Sequence, residues 1–141
     1  MKIVLASGSP RRFDLLKMIG IEDFEVIADT DDEVITAGLS PELTVCKIAL
    51  QKAKNVSKQC DYDDLIIAAD TLVYIDGLPL GKPRDRAEAE EMLEILSGRM
   101  HTVYTGIALQ RNDVHITGAE MTDVYFRELS PFEIARYVKT G

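Results

Sequence analysis

Residues 65–69 read Leu-Ile-Ile-Ala-Ala, five apolar residues in a row that end on Asp70. A run this short, without a polar break, reads as a fully apolar buried strand. Residues 72–76 form a second strand, and Asp76-Gly77 after it reads as a tight hairpin turn. Residues 2–6 and 24–28 are further strand candidates. Two long strand patterns follow near 102–110 and 115–127, joined as a hairpin around Arg-Asn-Asp-Val. Helical patterns lie between them, over 10–19, from Pro41 to about Val56, and from about Asp85 to Leu96, with Gly98 as the stop. Ser-Pro opens three helical patterns, at Ser9-Pro10, Ser40-Pro41 and Ser130-Pro131, and Glu133 completes a capping box in the last. Strands and helices alternate early and a long hairpin comes late. The expected architecture is therefore α/β, a long mixed sheet flanked by helices.

The chain has 141 residues, 46% of them hydrophobic, enough for one core and a single domain over 1–141. It carries 24 acidic against 16 basic residues, a net charge of −8. That balance argues against coating a nucleic-acid polymer, which needs a basic surface. A small anion held by a few local cations stays open. No apolar run approaches the ~20 residues of a membrane span, and the start has no secretory apolar core. Cys46 and Cys60 form no Cys-x-x-Cys pair and read as reduced thiols of a cytoplasmic protein.

Four places could carry chemistry. In Ala-Ser-Gly-Ser-Pro-Arg-Arg, residues 6–12, a strand runs into a helix whose N-terminal N–H groups and dipole favour a bound anion. Ser7 adds a hydroxyl, Gly8 allows close backbone approach, and Arg11 and Arg12 add charge where the dipole disfavours it. Read without a ligand, Ser9 is only a cap and the arginines are solvated. Asp-Thr-Asp-Asp-Glu, residues 29–33, could share a hard cation, and reads equally as an exposed acidic loop. Asp70, between two apolar runs, suits a general base or a metal ligand; a turn residue before Thr71 is its rival role. Lys52 lies on the inward stripe Val45, Ile48, Ala49, Val56, and either snorkels or meets a partner. Lys82, between Gly81 and Pro83, fits a ligand loop or a plain surface loop. His101 opens a strand and reads as structural. No metalloprotease His pair, Walker loop or nucleophile elbow is present.

Together these segments resemble the Maf family of nucleoside triphosphate pyrophosphatases, the septum-formation-inhibitor-like proteins. The resemblance runs through "LASGSPRRFDLL", "DTDDE", "SPELTVCKIALQKAK", "AADTLVYIDGLPLGKP", "MLEILSGRMHTVYTG" and "TDVYFRELSPFEIARYVKTG". It implies that Asp70 is the catalytic aspartate, accepting a proton from the attacking water, and that Glu33 works with it through a divalent metal, magnesium or manganese. Ser7, Arg12, Lys52 and Lys82 match the residues lining the triphosphate pocket. Arg11 and Thr71 fall at positions tied to choice of base. The implied fold has two lobes with a central cleft and is related to inosine triphosphate pyrophosphatases; the family commonly forms homodimers. The implied reaction cleaves between the α and β phosphates. Ser-Pro-Arg-Arg with Ala-Asp-Thr resembles the dTTP/UTP branch. The alternative is a nucleotide-binding regulator of cell division that does not hydrolyse. Family sequences continue for several tens of residues past "YVKTG", and from this the expectation is weak binding, slow turnover and self-association.

Overall fold

The computed structural model describes residues 1–29, 38–81 and 83–140. Its elements run β1 (Ile3–Leu5), α1 (Pro10–Met18), β2 (Glu25–Val26), α2 (Pro41–Ser57), β3 (Leu65–Ile75), β4 (Leu78–Leu80), α3 (Arg86–Leu96), β5 (Met100–Arg111), β6 (Val114–Tyr125) and α4 (Pro131–Thr140). The sheet has strand order β2-β1-β3-β5-β6, with β4 paired to β3. β1 is parallel to both β2 and β3, with Leu5 opposite Val26 and Ile67, while β4 is antiparallel to β3. The two-residue connection at Asn112-Asp113 can join β5 and β6 only as antiparallel neighbours. The sheet is thus mixed, as the sequence pattern implies.

Local signals place most boundaries. Ser9, Ser40 and Asp85 each cap a helix by accepting a backbone N–H three residues on. Asp76 and Gly77 both have positive φ, 53° and 77°, which is the paired requirement of a tight β-hairpin turn between β3 and β4. One expectation is corrected. The two strands read at 65–69 and 72–76 are a single strand, Leu65–Ile75, that runs straight through Asp70 and Thr71. Asp70 therefore sits inside a strand rather than at the mouth of one. It can remain there because Lys52 on α2 supplies the charge that an apolar face lacks.

The chain divides into two compact units, Met1–Thr71 with Thr105–Glu120, and Leu72–Tyr104 with Met121–Gly141. In the first, α2 lays Val45, Ile48, Ala49, Ala53 and Val56 inward. Its core joins Val4, Ala6, Ala49, Ala53, Val56, Ile66, Ala68 and Ala108, half of them alanines, so helix and sheet approach closely. The second unit is held by α3 against α4, by Tyr74 edge-on to Tyr104, and by His101 edge-on to Phe126. The Ser97 hydroxyl there accepts the Leu129 N–H at 2.7 Å.

Candidate active site

The first unit gathers a polar set from three places in the sequence. Just after β1, the Ser7 hydroxyl is buried and accepts the Ser9 N–H at 3.1 Å. Helix α1 begins at once, capped by Ser9, so the chain turns sharply and Arg12 falls in the first turn. The Arg12 guanidinium then spreads its fork between two hydroxyls, Nη1 donating to Ser7 Oγ at 3.3 Å and Nη2 to Thr71 Oγ1 at 3.4 Å. Thr71 in turn shares a hydrogen bond of 3.3 Å with Thr105. Arg12's two bonds lie past the usual N–H···O range and end on neutral acceptors. A phosphate oxygen would be shorter, charged and stronger. The corner is organised for an anion.

Asp70 precedes Thr71, so the pleat turns it to the opposite face of β3. It is 3% exposed, and its Oδ1 lies 3.2 Å from Lys52 Nζ. The stripe that carries Lys52 on α2 faces inward, and its stem follows that apolar face to reach the carboxylate. A buried charge without its counter-charge is destabilising, so each member of this pair holds the other in place.

Of the residues expected from sequence, Ser7, Arg12 and Thr71 thus form one chain of hydrogen bonds, and Lys52 with Asp70 forms a buried ion pair. Adjacent positions on β3 link the two sets. Arg11 is exposed and makes no hydrogen bond or ion pair among the described residues. Glu33 and Lys82 lie outside the described residues, as does all of the acidic segment beyond Asp29, which accepts from Asn55 Nδ2 at 3.2 Å. Gly8 is not required by crowding, because an added Cβ would meet only Ala28 at 3.6 Å. His101 is structural: burial pushes its imidazole below the usual histidine range, and Phe126 covers its ring. Cys60 is a quiet thiol, raised by burial and then by the charge of Asp64. Thr105 is the contact that residue reasoning missed. Its only signal was the polar Thr-Gly break in the long apolar pattern of β5.

Among the described residues, no three His, Cys, Asp or Glu side chains come together as a metal site. The Asp70 carboxylate offers one hard oxygen ligand. Magnesium is usually held by one or two carboxylates and completes its shell with phosphate oxygens and water. The residues present fit a metal that arrives with a triphosphate, and do not fit a closed protein cage. No helix among the described residues is long and apolar enough to cross a membrane.

Comparison with known proteins agrees with this chemistry. A family profile described as Maf-like protein matches residues 2–141. A dTTP/UTP pyrophosphatase of Bacillus anthracis is 47% identical over 137 residues, covering 97% of this chain and 71% of the relative. One from Bacillus cytotoxicus is 45% identical, covering 99% of this chain and 72% of the relative. Among solved structures, the Ham1 protein of Staphylococcus aureus superposes with a TM-score of 0.61 at 19% identity, covering 89% of this chain and 71% of that one. A nucleoside-triphosphatase / dITP/XTP pyrophosphatase from Mycobacterium abscessus gives 0.57 at 20% identity, over 89% of this chain and 74% of that one. These two likenesses concern the fold alone.

Proposed function

The chain belongs to the Maf family, and we propose that it hydrolyses dTTP and UTP to the nucleoside monophosphate and pyrophosphate. The observation that carries this reading is the buried Asp70–Lys52 pair, one residue along β3 from the Arg12–Ser7 corner. The relatives' names supply the substrate.

In this reading the Arg12 fork leaves its two hydroxyls and takes phosphate oxygens, with the N-terminus of α1 adding its positive end. Water attacks the α-phosphorus, the bond to the bridging oxygen breaks, and pyrophosphate departs. Asp70 accepts the proton that the water gives up. Lys52 keeps that carboxylate fixed on the face of β3, so it is preorganised before substrate arrives. Thr71, bonded to both Arg12 and Thr105, is placed to meet the nucleoside end, and Arg11 is exposed beside it in sequence. A divalent ion, magnesium or manganese, would be held by Asp70 with Glu33 and would neutralise phosphate charge. Lys82 joins the triphosphate contacts. The two free cysteines suit a cytoplasmic setting.

The test is a panel of nucleoside triphosphates with magnesium or manganese, scoring pyrophosphate separately from orthophosphate. Pyrophosphate from dTTP and UTP is expected. Binding without turnover would replace this reading with that of a nucleotide-binding regulator, and orthophosphate as the product would place the cleavage elsewhere.

A further inference from the structure

Glycine inside a strand is a weak choice, since it packs nothing and costs backbone entropy. Gly106 nevertheless sits within β5, in the unit that also holds α2. A Cβ added there would stand 2.4 Å from both the carbonyl carbon and the oxygen of Val45, and 2.8 Å from the Cys46 nitrogen. These are helix backbone atoms, which cannot swing aside as the end of a side chain would. Strand and helix touch main chain to main chain at this point. Gly106 is also outside the positive-φ region, so an alanine there would be resisted by contact and not by its own torsions.

Val45 is fully buried on the same inward face as Ala49, Ala53 and Lys52, with Lys52 about two turns further along the helix. Lys52 in turn meets Asp70 at 3.2 Å. We propose that Gly106 is a positioning residue for the active site, setting the depth at which α2 seats on the sheet and so where Lys52 holds Asp70. The inference rests on the roles given to Asp70 and Lys52 above. Ordinary contact between such atoms needs about 3.5 Å, so a methyl at 106 would lift α2 by ~1 Å. That gap is too small to admit water, so nothing replaces what the ion pair loses. Rigid helix geometry passes the displacement to Lys52, because α2 is continuous from Pro41 to Ser57.

The experiment is a pair of double-mutant cycles on pyrophosphate release from dTTP by the whole chain. Gly106→Ala is expected to lower kcat by about 10–100-fold, the scale of a 1 Å misplacement. In a Lys52→Met background it should lower kcat little further, because the element it displaces is already gone. In an Arg12→Ala background it should keep its full effect, because α1 carries that residue independently. A general loss of structure would instead add equally in both backgrounds, and that outcome overturns the proposal. So does unchanged kcat in a cooperatively folded Gly106→Ala chain. Should that variant not fold, Ala53→Val raises the same helix beside Lys52, and the same two cycles are run with it. Wild-type turnover in Lys52→Met alone would sink the Lys52–Asp70 assignment and this inference with it. Loss in Lys52→Met without loss in either helix-raising variant sinks only the inference.

Discussion

Two helices of this chain open on the same dipeptide, Ser9-Pro10 at α1 and Ser130-Pro131 at α4. At α4 the next residues bring Glu133, which accepts the Arg127 guanidinium through both oxygens, while its Oε1 also takes the Ser130 N–H and its own N–H is capped by Ser130 Oγ. The positive end of that helix is answered from within the chain. At α1 the equivalent position is Arg12, and the first turn holds no acid at all. Its dipole and its guanidinium point the same sign of charge into the same place, answered only by the hydroxyls of Ser7, Ser9 and Thr71. One helix start is finished by its own side chains. The other becomes finished when an anion arrives, which is the mark of a binding site rather than of a stability device.

The largest expected effect tests the chemistry next to α1. Asp70→Asn removes a base and a charge with almost no change of volume, and should cut pyrophosphate release by about 10²–10⁴-fold. Its circular dichroism spectrum should stay that of the wild type. Turnover near wild type would remove Asp70 from the reaction.

Next comes the contrast between the two arginines. Arg12→Ala should weaken dTTP binding by about 10–100-fold, the worth of a charged hydrogen bond to phosphate, with a small change in Tm. Arg127→Ala should do the reverse, lowering Tm while calorimetric Kd for dTTP stays put. Equal losses of affinity in both would erase the distinction between the two helix starts.

A smaller effect comes from converting one into the other. Arg12→Glu writes a Ser-x-x-Glu capping box at α1, matching Ser130 to Glu133. Binding should be lost while the helix gains about 0.3–1 kcal/mol from a favourable dipole contact, read as a higher Tm in scanning calorimetry. A lower Tm would mean that the Ser7 and Thr71 bonds matter more to folding than to binding.

The smallest effect is a pH dependence at α4. Hydrogen bonding to Arg127, then to the Ser130 N–H, holds Glu133 at about 2, against an ordinary value of 4.5. A depressed carboxylate contributes stability that is fully present above its unfolded pKa and is lost as pH falls through the folded one. The contribution should therefore fade between pH 4.5 and about 2, and Glu133→Gln should flatten that part of the stability curve. Both partners are exposed, so added salt should shrink the difference. An unchanged slope in the Gln variant would show that the pair does not hold α4.

The helix caps, the Asp76-Gly77 turn, the long hairpin and the mixed sheet were legible from the chain itself. Each depends on residues within a few positions of one another, where backbone torsions and nearby donors decide the outcome. The strand–helix corner at Ser7–Arg12 was legible for the same reason. Asp70 was not placed correctly. An aspartate between apolar runs reads locally as a break, yet β3 continues through it because Lys52, 18 residues earlier, arrives on the same face. Thr105 and Gly106 were also beyond sequence reasoning, since one matters by touching Thr71 and the other by touching the backbone of Val45. Sequence alone determined where this chain turns, caps and alternates, because those preferences are paid locally. Only the tertiary structure decided which charges meet and how deep a helix sits, because both depend on atoms that are neighbours in space and strangers in sequence.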